Sequence, residues 1–223
     1  MSATIPLNMF HFLRQNLNEM PTPSKLLFLP GASGDTTFWQ PVAESLAHGG
    51  THVHMGWPGF GSTPSSPDVS GISDLVPIVL AEIDQPVAIV GQSIGSVIAT
   101  MAALERPDLV THLVLAVTSG GINVADLGAQ DWRPEFFAAH PTHPRWIGDF
   151  KTDLTSRLGA IRIPTLLLWG DADPISPVAV GKRLATLLPN AKLHIFAGGT
   201  HDLAHARAAE VAPLIDAHLA KTD

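Results

Sequence analysis

The run Val87-Ala88-Ile89-Val90 entering Gly91-Gln92-Ser93-Ile94-Gly95 restricts this chain more than any other stretch. Apolar, mostly β-branched residues lead into a Gly-x-Ser-x-Gly pentapeptide. The chain leaves it through Ser96-Val97-Ile98-Ala99-Thr100-Met101-Ala102, a small-residue helical pattern. Strand, sharp turn and helix in that order put a serine at the apex and aim its hydroxyl out of the sheet. Gly91 and Gly95 stand two residues to either side, where a Cβ would collide with the strained backbone.

The same grammar recurs along the chain. Short apolar runs at Lys25–Leu29, Thr51–Met55, Leu113–Val117, Thr165–Trp169 and Lys192–Phe196 read as further strands. Between them the patterns predict helices over about 35–48, over 72–83 despite Pro77, from the serine turn to Pro107, and over 178–188. A last helix carries Val211, Leu214, Ile215 and Leu219 at helical spacing. Met9–Leu13 fits an added edge strand. Near-continuous apolar strands alternating with helices predict an α/β fold, a doubly wound and mostly parallel sheet covered on both faces. Composition agrees: 45% of residues are hydrophobic and only 15% charged, against roughly 25% charged in a usual globular chain. Residues 1–223 are expected to form one domain.

One interval breaks the rhythm. Residues 120–164, after the fourth core strand, hold no strand-like run. They carry Trp132, Phe136, Phe137, Trp146 and Phe150 among Pro134, Pro141 and Pro144. An excursion at that point leaves from the carboxyl ends of the strands, where ligands bind in such sheets. It is expected to form a short cap whose aromatics line a pocket for a small or medium, mainly apolar group.

Several function classes are disfavoured. The net charge is −7 and there is no basic cluster, so neither nucleic acid nor an anionic membrane is an expected partner. With no cysteine, disulfides, thiolate zinc sites and cysteine nucleophiles are excluded. Met1–Pro6 does not resemble a signal peptide, and no apolar run approaches the roughly 18 residues of a membrane span. The expected location is cytoplasmic. His201 and His205 are four apart, but Asp202 and Leu203 between them lack the glutamate of a His-Glu-x-x-His zinc site. The pairs His52/His54 and His140/His143 have no nearby carboxylate or cysteine in sequence to complete a metal site. No Gly-Lys-Ser/Thr or Gly-x-Gly-x-x-Gly supports a nucleotide site.

A serine hydroxyl needs a base to take its proton, an acid to orient that base, and N–H donors for the oxyanion that forms. The loop after the fifth run is Gly170-Asp171-Ala172-Asp173-Pro174-Ile175, and the loop after the last is Ala197-Gly198-Gly199-Thr200-His201-Asp202. Ser93, an aspartate and His201 thus follow one another in the order known for strand–elbow–helix hydrolases.

With Leu29-Pro30-Gly31-Ala32-Ser33-Gly34, Trp57-Pro58-Gly59-Phe60-Gly61, Gly91–Gly95, Leu168–Asp173 and Gly199-Thr200-His201, the chain resembles the α/β-hydrolase fold proteins, in particular small single-domain serine esterases. The resemblance extends over about residues 25–220. It implies Ser93 as nucleophile, His201 as base, and Asp173 as acid with Asp171 as the alternative. It also implies the backbone N–H groups of Ala32 and Ile94 as the oxyanion hole. Ile94 opens a helix, whose dipole favours an anion at that end. Pro30 stands where the family often has histidine, and Trp57 where it often has aspartate.

The expected activity is hydrolysis of small carboxylic esters through a Ser-His-Asp triad and an acyl-enzyme, with no metal or organic cofactor. Alternatives with the same triad are an aminopeptidase or amidase, a thioesterase or acyl transferase, and a lyase. For an aminopeptidase, Asp126, Asp131, Glu135 and Asp149 would have to hold a free amine. A non-enzymatic small-molecule receptor is the rival from another class. Oligomeric state is not legible in the sequence.

Overall fold

A computed structural model describes residues 21–151 and 153–221; the stretch Met9–Leu13 lies outside them. Six strands form one sheet: β1 (Lys25–Leu29), β2 (Thr51–His54), β3 (Val87–Gln92), β4 (Val110–Ala116), β5 (Thr165–Gly170) and β6 (Ala191–Phe196). Every pair is parallel, and the spatial order is β2-β1-β3-β4-β5-β6. From β1 the chain moves outward to β2, then returns across β1 to β3. The winding direction therefore reverses between β1 and β3, and the loops at their carboxyl ends part to leave a crevice.

Seven α-helices are described: α1 (Gln40–Ser45), α2 (Leu75–Ala81), α3 (Ile94–Glu105), α4 (Arg133–Ala139), α5 (Val178–Leu187), α6 (Leu203–Ala206) and α7 (Ala208–Leu219). Alternation along the strands divides the core into two layers. Leu27, Leu29, Ile89, Leu113, Leu115, Leu167 and Trp169 face one side, packing with Leu75 and Val79 of α2, Ile98 and Ala102 of α3, and Leu184 of α5. Leu26, Phe28, Ala88, Val90, Val114, Leu166 and Leu168 face the other, with Val42 of α1 and Val211 and Ile215 of α7. Strands covered on both faces have no solvent side, so β1, β3, β4 and β5 are buried at every position.

The departures from expectation have local causes. The helix predicted over 35–48 is reduced to α1. The Asp35 carboxylate accepts the Thr37 N–H at 2.8 Å and holds a turn there instead, and Pro41 then supplies the helix start. Pro77 is tolerated because it falls in the first turn of α2, where its missing N–H has no intrahelical acceptor. β4 begins three residues earlier than its apolar run suggests. The Thr111 hydroxyl donates to the Val87 carbonyl, and the His112 ring meets the carbonyl of Lys221, so two polar residues are satisfied inside the sheet. Val117 has left the strand, with φ at +42°.

Between β4 and β5 the chain forms α4 and three 3₁₀ turns, at Ala125–Leu127, Arg145–Gly148 and Leu158–Ala160. Trp146 and His143 meet Phe60 edge-on at 5.1 Å, tying the excursion to the turn after β2.

Candidate active site

Ser93 sits where β3 passes into α3, at φ 52° and ψ −118°. Only a crowded turn holds a non-glycine residue there, at a cost of about 1–3 kcal/mol. The neighbouring glycines explain how the turn closes. A Cβ on Gly91 would lie 2.7 Å from the Ser96 nitrogen, and one on Gly95 would run into the carbonyl oxygens of Leu29 and Pro30. α3 can therefore start directly against the end of β1 only because residue 95 has no side chain.

The Ser93 backbone is held from β4. Its N–H donates to the Ala116 carbonyl at 2.9 Å. Its carbonyl accepts from the Thr118 hydroxyl at 2.7 Å and from the Ser96 N–H at 3.1 Å. The Ser176 hydroxyl donates to the Thr118 carbonyl at 3.1 Å, and the Trp169 indole to the Ser176 carbonyl at 2.9 Å. These bonds link the loops after β3, β4 and β5 in one chain.

His201 and Asp173 come together from the loops after β6 and β5. Nδ1 of His201 lies 2.8 Å from Oδ2 of Asp173, whose other oxygen accepts the Ile175 N–H at 2.9 Å. The Asp173 side chain is fully buried. Asp171 is exposed and points elsewhere: its carboxylate accepts the Gly198 N–H at 2.6 Å, tying down the turn that leads to His201. Of the two aspartates, the structure brings Asp173 to the imidazole. Gln92 adds a support, its side-chain amide donating to the His201 carbonyl at 3.2 Å. The close approach of Gly170 to Gly199 lets the two loops run side by side, with the Ala172 N–H donating to the Gly199 carbonyl at 3.0 Å.

Ala32 and Ile94 follow the adjacent strands β1 and β3, which are in register with Leu29 opposite Gly91. Neither backbone N–H meets an acceptor among the described residues. Ile94 is the first residue of α3, so its N–H has no intrahelical partner. The Trp57 indole donates to the Gly31 carbonyl at 2.9 Å, and the Trp39 indole to the Leu29 carbonyl at 3.0 Å. Two buried tryptophans thus fix the loop before Ala32, and Trp57 makes its bond from the position where the family often has aspartate.

Ser93, Ile94 and His201 line one cavity of about 500 Å³, together with Val117, Thr118 and parts of the 120–164 excursion. Its wall differs from the aromatic lining expected of that excursion. Trp132 and Phe150 reach it, but so do Arg133, Lys151, Asp131 and Asp153. Phe136 and Phe137 pack against Trp132 and each other, and Trp146 packs on Phe60. These three aromatics are partly buried and pack against the main core, beside the buried Ile147, Leu154 and Leu158 of the same segment. Of the four acidic residues considered for an amine, all are exposed and Asp131 alone lines the cavity, paired with Arg133 at 2.9 Å. Asp126 faces Arg183 at 3.8 Å.

Both histidine pairs pack against phenylalanine rings. His52 and His54 flank the Phe28 ring, and His140 and His143 pack on Phe136. Burial lowers the proton affinity of His52, His54 and His143. Among the described residues no helix is long and apolar enough to cross a membrane.

Residues 26–157 match the alpha/beta hydrolase family, more than half of the chain. The chain belongs to the alpha/beta hydrolase family. A 2-hydroxy-6-oxononadienedioate/2-hydroxy-6-oxononatrienedioate hydrolase of Cupriavidus pinatubonensis is 27% identical over 75% of this chain and 75% of its own length. In fold, a lipase-esterase related protein from Clostridium acetobutylicum superposes with a TM-score of 0.73 at 17% identity, over 90% of this chain and 96% of that one. MenH from S. aureus superposes with a TM-score of 0.72 at 20% identity, over 89% and 94%. Among alpha/beta hydrolases this chain's arrangement is a single parallel sheet with flanking helices.

Thr118, Ser176, Gln92 and the strained Val117 escaped the sequence reading of the site. Gln92 lies inside the Gly-x-Ser-x-Gly motif, but nothing there signals its bond to a residue 109 positions later. Thr118 and Ser176 are ordinary loop hydroxyls until the strands are paired.

Proposed function

We propose that the protein is a serine hydrolase acting on small carboxylic esters through Ser93, His201 and Asp173. The observation that carries this is the buried Asp173 carboxylate on Nδ1 of His201, beside a cavity that Ser93 and His201 share. With Nδ1 engaged, Nε2 is the nitrogen left to take the Ser93 proton as the hydroxyl oxygen attacks the ester carbonyl. The N–H groups of Ala32 and Ile94 receive the oxyanion, at the switch point of the sheet and the start of α3. His201 returns the proton to the departing alcohol. Water then adds to the acyl-enzyme with the same base, releasing the acid and restoring Ser93. The 120–164 excursion serves as a cap that walls the acyl pocket.

A second reading has a specific support. The Cupriavidus relative is named for a keto diacid, not an ester, and Arg133 and Lys151 in the cavity wall offer cations for a carboxylate. The same nucleophile and base would then serve hydrolysis beside a ketone. The balancing Asp131 and Asp153 leave the wall without a net charge, which favours the neutral ester.

The test is release of p-nitrophenol from acetyl, butyryl and octanoyl esters, wild type beside Ser93→Ala, with fluorophosphonate labelling of Ser93. Turnover that falls by several orders of magnitude in the variant is the expected result. Wild-type protein that neither turns over an ester nor takes the label would overturn the proposal.

A further inference from the structure

We propose that Thr118 is a positioning residue: its hydroxyl sets the plane of the Ser93–Ile94 peptide and thereby aims the Ile94 N–H at the oxyanion. This rests on Ser93 being the nucleophile, as proposed above. The starting point is an irregularity in the ladder between β3 and β4. In a parallel pair, a residue donates its N–H to one partner residue and accepts at its carbonyl from the N–H two residues further on. Ser93 keeps the first half, donating to the Ala116 carbonyl. Its ψ of −118° swings the carbonyl out of the sheet. There the side-chain hydroxyl of Thr118, two residues beyond Ala116, stands in for the backbone N–H at 2.7 Å.

A peptide unit is planar, with its C=O and N–H pointing in opposite directions. The carbonyl of Ser93 and the N–H of Ile94 belong to the same unit. A bond that fixes the carbonyl therefore fixes the N–H on the far side, and polarises it toward the cavity. Catalysis by such a donor depends on its aim at the charge that develops in the transition state, more than on ground-state binding.

The donor is itself held rigidly. The Thr118 hydroxyl accepts the Gly120 N–H at 3.0 Å, which directs its own proton to Ser93. The Thr118 carbonyl is held by Ser176, in the loop that carries Asp173. Val117, between Ala116 and Thr118, adopts φ +42°, a conformation rare for a β-branched residue. The strain at Val117 is what turns Thr118 toward the elbow when the strand would otherwise carry it past. Thr118 is 2% exposed and Val117 fully buried, so water has little access to replace the bond.

The experiment compares wild type with Thr118→Val, Thr118→Ala and Thr118→Ser, measuring kcat and KM on the best p-nitrophenyl ester and the rate of fluorophosphonate labelling at Ser93. Thr118→Val is expected to lower kcat and the labelling rate by roughly 10- to 100-fold, short of the loss of a whole oxyanion donor. KM and the pH profile stay near wild type, and Thr118→Ser restores most of the rate. Should the valine variant fail to fold, Thr118→Ala is expected to show the same split. A folded Thr118→Val or Thr118→Ala with wild-type kcat and labelling overturns the inference, as does a change confined to KM. Wild-type protein not labelled at Ser93 overturns the nucleophile and this inference together; normal wild-type labelling with an unslowed variant overturns this inference alone.

Discussion

Oδ2 of Asp173 lies 2.8 Å from Nδ1 of His201, and the aspartate side chain has no exposure to solvent. Asp171, two residues earlier and exposed, is bonded instead to the Gly198 N–H. An acid that must orient an imidazole and stabilise its cation acts best when no water competes for it. Asp173→Asn should therefore lower kcat by roughly 10³- to 10⁴-fold, since the amide favours the wrong tautomer. Asp171→Asn should cost less than about tenfold, through a loosened turn before His201. Ester kinetics on the two variants check the assignment, and the opposite ranking would reassign the acid.

Trp132 and Phe150 line the cavity that Ser93 and His201 share. Trp132 also meets Phe136 edge-on, and the Arg133 guanidinium lies over its ring, so its removal opens space between the two. Trp132→Ala should shift preference from short toward longer acyl chains and raise KM for the acetyl ester several-fold. Comparing kcat/KM across the acyl series reads this out; an unchanged profile would show that the acyl chain lies elsewhere.

Gly95 is where α3 meets the end of β1, and an added Cβ there would stand 2.5 Å from the Leu29 carbonyl oxygen. Neither partner is a flexible side chain, so the backbone must move. Gly95→Ala should destabilise by about 1–3 kcal/mol, lowering the melting temperature by about 2–4 °C per kcal/mol for a chain of this size. It should also displace the loop that bears Ala32 and reduce kcat. Thermal unfolding and ester kinetics on one sample test both.

His218 of α7 is 2% exposed and meets the buried His112 ring edge-on at 5.2 Å. Burial, with further contributions from His112 and Lys221, lowers its pKa to about 3. In the unfolded chain it titrates near 6.5, so the unfolded state binds a proton that the native state refuses. The resulting stability is present in full above about pH 6.5 and is lost as the pH falls toward 3. The limit of that loss is about 5 kcal/mol. Urea midpoints between pH 8 and pH 4 should fall steeply in wild type and less in His218→Leu; parallel profiles would count against the assignment.

The layer architecture was legible because it depends on local pattern. Runs such as Leu166–Leu168 and Val87–Val90 are apolar at successive positions, and only a sheet covered on both faces can bury them all. The sequence places Ser93, Asp173 and His201 in turns that follow recognisable strands, and a parallel sheet brings those turns to one edge. The true start of β4 was hidden by Thr111 and His112, polar residues whose partners lie elsewhere in the chain.

What the sequence by itself determined is which side chains arrive at the carboxyl edge of the sheet, since strand order along the chain and turn chemistry are local properties. What only the tertiary structure decided is how they are aimed. The choice of Asp173 over Asp171 depends on burial against a loop 28 residues away. The mixed polar lining of the cavity depends on how residues 120–164 fold back, with Phe136 and Phe137 packed against each other and the main core. The bond from Thr118 to Ser93 exists because two strands pair and both backbones bend at their ends. Hydrogen bonds between residues distant in the chain carry no mark in the sequence, because any hydroxyl can make them and only packing selects the one that does.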